Sequence, residues 1–185
     1  EVPGLMPPVI DFGRRVVAAG FCVAMPSLFG TPGKAFSAAY SVQQIARACI
    51  SREFHVLAAR GSSPVTTWVR ALCRSLHAEC GGPGVGAIGM CLTGNFALAL
   101  MVDECVMAPV LSQPSLPFAI GPGRRAGLHV SDADLAVIKR RSRAGVPLIG
   151  MRFTWDAACP KARFDRLRDE LGAGFEAIEI DSSPG

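Results

Sequence analysis

A chain of 185 residues, half of them apolar, fits one domain with a sizeable core. Its net charge of +4 is scattered over 19 basic and 15 acidic residues, and the one local cluster, Lys139, Arg140, Arg141 and Arg143, falls in a helical pattern, so a solvated face is expected and a nucleic-acid partner is not. Seven cysteines, odd in number and without a CxxC pair, and three histidines without metal-ligand spacing argue against a disulfide framework or a zinc site and favour a reduced, cytoplasmic setting. The first residue is Glu1, without an initiator Met or a basic-then-apolar leader, so the chain is expected not to begin at a native translation start.

In chain order, residues 7–19 place Val9, Phe12 and Val16 on one helical face and end at Gly20, a natural left-handed cap. The apolar run 21–28 (FCVAMPSL), bounded by Gly20 and the Gly30, Pro32, Gly33 loop, predicts a buried strand. Ser41 is expected to cap a second helix through about Phe54, with Val42, Ile45, Ala46 and Cys49 on its inner face. Gly61, Ser62, Ser63 and Pro64 signal the start of a third helix, striped by Val65, Trp68, Val69, Leu72 and Leu76 and stopping before Gly81.

The longest apolar stretch, 85–102, is broken by Gly86, Gly89, Thr93, Gly94 and Asn95, and it reads as strand, turn and helix rather than as a membrane span. Its first part, 85–90 (VGAIGM), is a small-residue strand of the kind covered on both faces; 93–102 is a buried helix. Residues 105–111 predict the next strand, followed by a Pro- and Gly-rich loop to Leu128. Ser131 with Asp134 caps a helix to Ala144, 147–153 is a strand, Pro160 opens a helix with Phe164, Leu167 and Leu171 inward, and 175–180 is the last strand. Alternating elements predict an α/β fold with a mainly parallel, doubly wound sheet, helices on both faces and the functional end at the strand C-termini.

Gly89, Met90, Cys91, Leu92, Thr93 and Gly94 join strand to helix without loop residues to spare, the setting of a nucleophile elbow. Such a turn strains its central residue and needs small neighbours two positions away; Gly89 meets the demand, while Thr93 is larger than the usual Gly. Unpaired N–H groups at the helix start favour a thiolate and can hold an oxyanion.

On these residues the chain resembles the dienelactone hydrolase family of α/β-hydrolases, whose GxCxGG elbow is matched at Gly89, Cys91 and Gly94 and broken at Thr93. A second family string, Glu, an apolar residue, any residue and Gly, is matched by Glu1, Val2, Pro3 and Gly4, and PSLFG (26–30) matches the end of the family's next strand. The resemblance implies an α/β-hydrolase fold incomplete at both ends, with strands expected before Glu1 and the triad His expected in a loop beyond Gly185. It implies Cys91 as nucleophile, Asp156 as the acid orienting that His, Glu1 as the partner of the resting thiol, and the N–H groups of Leu92 and Val2 as the oxyanion hole. Asp156 reads equally well, without the resemblance, as a turn carboxylate ahead of Pro160.

Of the histidines present, His77 falls at the wrong end of the sheet, His55 has no strand to place it, and His129 reads as an ordinary residue before the Ser131 cap. The implied activity is cleavage of an ester or lactone through a thioacyl intermediate, with a small-molecule substrate, no nucleic acid, no membrane, and no cofactor or metal. Lys34, Arg60, Arg124, Arg125 and Arg152 are candidates to pair with a substrate carboxylate. A general carboxylesterase or thioesterase of the same fold stays open, as does a non-catalytic α/β domain that keeps the turn for packing.

Overall fold

The computed structural model describes residues 1–53 and 63–183. The expected helix end at Phe54, the side chains of His55 and Arg60, the first half of the Gly61, Ser62 start signal, and Gly185 lie outside the described residues. The chain divides into two compact units, Glu1–Ser51 and Arg52–Gly185. No helix of the described residues is long and apolar enough to cross a membrane.

In the first unit, two prolines at the first turn start α1 (Pro7–Ala18), since a helix needs no N–H there. Gly13 lets the 21–28 segment approach α1, because a Cβ at this position would meet the Met25 sulfur at 2.4 Å. That segment is not the strand its apolar run predicts: it has no ladder partner among the described residues, and Phe21 and Val23 are exposed. An extended run becomes a strand only when neighbouring backbone takes up its N–H and C=O groups, and this unit contains no other strand to do so.

α2 (Ala38–Ile50) starts three residues before the predicted cap. Ser41 lies inside its first turn, where both its N–H and its hydroxyl donate to the Ser37 carbonyl at 2.9 Å. Gln44 and Ala48 face inward, flanked by Ile45 and Cys49, while Val42 and Ala46 face out. With apolar residues nearly all round the helix, periodicity could not choose between adjacent stripes.

The second unit is a four-stranded, all-parallel α/β sheet flanked by helices. α3 (Pro64–Cys80) is capped by Ser63, whose hydroxyl accepts from Thr66 N–H at 3.3 Å, and ends at Gly81. Val65, Thr66 and Cys73 are buried with Val69, Leu72 and Leu76 half-buried beside them, so of the predicted stripe Trp68 alone is exposed. Then come β1 (Val85–Met90), a 3-10 turn (Cys91–Thr93), α4 (Gly94–Leu100), β2 (Val106–Ser112), the short α5 (Pro122–Arg125), α6 (Asp132–Arg143), β3 (Leu148–Phe153), α7 (Lys161–Leu171) and β4 (Phe175–Ile180). The expected α6 cap is present: Ser131 Oγ accepts from Asp134 N–H at 3.0 Å.

Among the described residues the strand order β1-β2-β3-β4 follows the chain, without the reversal that marks a doubly wound sheet. Right-handed crossovers that all step in one direction deliver their helices to one face. On that face Leu111, Leu148 and Phe175 meet Leu98 of α4, Ile138 of α6, and Phe164 and Leu167 of α7. The opposite face carries Ile88, Phe153, Ile178 and Ile180, all substantially exposed, so β1 is covered on one side where burial on both was expected.

α4 is buried along its whole length, as its apolar sequence GNFALAL requires. Two arginines serve the backbone at its C-terminal end, where carbonyls lack helical partners. Arg70 donates twice to the Ala99 carbonyl, at 3.1 and 2.5 Å, and Arg141 donates to the carbonyls of Met101 at 2.6 Å, Asp103, and Glu104 at 3.0 Å. Within the basic cluster read as a solvated face, Arg141 is therefore a capping group and Lys139 pairs with Glu170 at 2.7 Å; Arg140 and Arg143 are exposed.

Candidate functional site

β1 runs directly into the 3-10 turn, and its first residue, Cys91, sits at φ 53°. For a residue with a Cβ this left-handed backbone costs on the order of 1–2 kcal/mol, so surrounding contacts must impose it. Three of them are visible. A Cβ at Gly89 would lie 2.3 Å from the Thr93 carbonyl oxygen, so only glycine lets the strand end and the turn close on each other. At Gly94 a Cβ would lie 2.5 Å from Pro114 Cα, which fixes the approach of α4 to the loop after β2. Thr93, the departure from the small-residue pattern, folds its hydroxyl back on the turn, donating to Met90 C=O at 3.0 Å and accepting from Met90 N–H at 3.1 Å. Its bulk is accommodated because it binds the very backbone that has to bend.

Cys91 is half-buried, and the loop of residues 113–128 meets it at Ser115. The Ser115 N–H donates to the Cys91 carbonyl at 3.0 Å, and Ser115 Oγ lies 3.7 Å from Cys91 Sγ. This loop is held from beneath by two buried side chains. Asn95 of α4 donates to the carbonyls of Leu116 and, at 3.0 Å, Leu128. Arg163 of α7, fully buried, donates to the carbonyls of Pro114, Pro117 at 2.6 Å, Gly127 at 2.9 Å and Arg124 at 3.3 Å. Burial pulls its pKa down to about 10, which leaves it charged at neutral pH.

Neither Ser115 nor Arg163 was singled out from the sequence. Ser115 carries a weak signal, its place in the loop after the neighbouring strand. Arg163 carries none, because an arginine beside Phe164 reads as the solvent edge of the helix.

Asp156 follows β3 and bends the chain towards α7, its Oδ1 accepting from the N–H groups of Ala158 at 2.8 Å and Cys159 at 3.2 Å. The register pairs Met90 with Ser112 and Ser112 with Met151, so Cys91, Ser115 and Asp156 all leave the C-terminal end of the sheet. β1 and β3 stand two strand spacings apart, about 10 Å. His129, at φ 57°, is buried with its ring 6.1 Å from that of Phe96. His77 ends α3 ahead of β1, its ring nitrogen 3.1 Å from the Gly82 carbonyl oxygen.

Among the cations considered for a substrate carboxylate, Arg152 is ruled out by its surroundings. It is buried and donates to Cys159 C=O and Thr154 C=O, both at 2.9 Å, and to Glu179 at 2.5 Å. Hydrogen bonds from Arg168 and then Arg152 hold the Glu179 carboxyl below its ordinary range. Lys34 lies 3.7 Å from the centre of the Tyr40 ring.

Glu1 and Val2 belong to the first unit, where Val2 is buried. There the 1–4 string and the 26–30 run pack backbone to backbone: a Cβ on Gly4 would sit 2.3 Å from Phe29 O, and one on Gly30 2.3 Å from Pro3 O. Burial raises four other thiols, Cys73 to about 11, Cys159 to about 12, and Cys49 and Cys105 in the same direction, while Cys22 and Cys80 are exposed. The sequence matches no protein-family model and no curated protein.

Proposed function

We propose that the protein is a hydrolase of carboxylic esters or lactones that uses Cys91 as its nucleophile, in the manner of the dienelactone hydrolases it resembles. The observation that carries this reading is the strained backbone of Cys91 at a strand-to-helix turn, enforced by Gly89, Thr93 and Gly94. Packing alone does not need a cysteine there, because a glycine would make the same turn without strain.

In the reaction, the Cys91 thiolate adds to the carbonyl carbon of the substrate and the new oxyanion is held by the N–H of Leu92. The intermediate collapses with loss of the alkoxide, which takes up a proton, leaving a thioester on Cys91. Water then attacks the thioester carbon, the C–S bond breaks, and a carboxylic acid leaves with the thiol restored. Asp156 is the acid that orients a histidine base, which the resemblance puts in a loop following β4.

The test is acylation by p-nitrophenyl acetate followed by mass mapping, in a background with Cys22 and Cys80 changed to serine. An acetyl group on Cys91, formed with one equivalent of nitrophenol and absent from Cys91→Ala, is the expected result. Acetylation distributed over other residues with Cys91 untouched overturns the reading.

A further inference from the structure

The surroundings of Cys91 pose a chemical question that the elbow alone does not answer. β1, the turn, α4 and β2, the elements that enclose it, contain no titratable side chain besides Cys91 itself: their sequences are VGAIGM, CLT, GNFALAL and VMAPVLS. The charged groups of the adjoining 113–128 loop are Arg124 and Arg125, and the buried Arg163 guanidinium beneath it is committed to backbone carbonyls. His129, after that loop, lies with its ring 6.1 Å from that of Phe96. Among the described residues of this unit, the hydroxyl of Ser115 reaches the sulfur at 3.7 Å, within hydrogen-bond range for so large an acceptor.

Ser115 is also unusually well fixed. It is 5% exposed, its N–H is bonded to the Cys91 carbonyl, and the carbonyls on either side of it, Pro114 and Leu116, are bonded to Arg163 and Asn95. The loop therefore holds its hydroxyl against the sulfur at no further cost in ordering. A hydroxyl can rotate to suit either state of its neighbour, accepting from the S–H of the thiol or donating to the thiolate. Donation to the charged form is the stronger of the two.

We propose that Ser115 is a catalytic residue of this site, whose hydroxyl donates a hydrogen bond to the Cys91 sulfur and steadies it for attack. The proposal rests on Cys91 being the nucleophile and adds the group that prepares it for attack. The hydroxyl takes no proton away: in ionisation the thiol proton passes to solvent or base, and Ser115 stays neutral throughout.

The experiment measures the rate of Cys91 alkylation by iodoacetamide from pH 6 to pH 10, in the Cys22→Ser, Cys80→Ser background. Ser115→Ala is expected to slow alkylation about fivefold at pH 7, the worth of one ordinary hydrogen bond, with the difference shrinking towards pH 10, where hydroxide takes the thiol proton without help from the hydroxyl. Ser115→Thr and Ser115→Val, similar in shape and different in the hydroxyl, give the same answer should the alanine variant fold poorly: Thr stays within about twofold of the parent, and Val falls with Ala. Equal rates for Thr and Val at pH 7, or a loss in Ser115→Ala that persists unchanged at pH 10, overturns the role of Ser115 while leaving Cys91 as nucleophile. A parent Cys91 that reacts at pH 7 more slowly than the same thiol in the urea-unfolded chain overturns both.

Discussion

Two turns at the same end of the sheet, one after β1 and one after β3, carry the two side chains expected to do chemistry, and they are built on opposite principles. The first places Cys91 in a left-handed conformation that a Cβ resists and surrounds it with contacts only glycine can make. The second is a relaxed bend in which Asp156 accepts from two backbone N–H groups just ahead of α7, a role aspartate fills in many loops. Strain that a glycine would remove is evidence of a requirement beyond folding. A satisfied turn is not, so the position of Asp156 is explained equally by structure and by catalysis.

Asp156→Asn separates those two explanations. The amide oxygen keeps the turn, so stability should change little, while a carboxylate that orients a histidine cannot be replaced by a neutral amide. In a protein that carries this histidine, ester turnover is then expected to fall by about 10² to 10⁴-fold with an unchanged melting temperature. An Asp156→Asn protein with full turnover would leave Asp156 as a turn residue only.

The next largest effect is expected where the two regions are tied together. Arg163 lies on the helix that follows the Asp156 turn and holds the loop that carries Ser115. Arg163→Met keeps the aliphatic stem but strips four carbonyls of their donor, and a loss of about 3–5 kcal/mol in urea unfolding is expected, since each buried unsatisfied group costs about 1–3 kcal/mol and part of the loop can relax towards water. Thr93→Val removes a smaller pair of bonds, those to Met90, and should cost about 1–2 kcal/mol in the same assay. A neutral Thr93→Val would mean that the turn closes without them.

The β1 turn was legible in the sequence because a local rule governs it: a strand that meets a helix with no intervening residues, at Gly89 to Gly94, leaves one conformation for Cys91. The same locality made β4, the Ser131 cap and the Gly81 stop readable. What failed to show depends on partners distant in the chain. The 21–28 run has the composition of a strand but has no ladder partner among the described residues. The one-sided sheet follows from strand order, which periodicity does not encode. The size of Thr93, larger than the glycine the elbow pattern asks for, is visible in the sequence, and its bonds to Met90 are not. Arg163 and Ser115 act across 49 and 24 residues of chain, to Pro114 and Cys91, where no local pattern reaches.

The smallest expected effect lies at the strained turn itself. Cys91→Gly should stabilise the protein slightly, by at most about 0.5 kcal/mol, because glycine accepts a φ of 53° that costs a side-chain-bearing residue about 1–2 kcal/mol. Part of that gain is offset by the larger conformational entropy glycine has in the unfolded chain, about 0.5–1 kcal/mol, and by the packing of a half-buried thiol. Asp156→Gly, at a turn that is satisfied rather than strained, should do the reverse and destabilise by roughly 1 kcal/mol through loss of its two hydrogen bonds. Paired urea titrations of the two variants therefore predict opposite signs. Should Cys91→Gly be destabilising by as much as Asp156→Gly, the left-handed backbone at position 91 would not be a store of strain, and the argument that the cysteine is kept there for its chemistry would lose its footing.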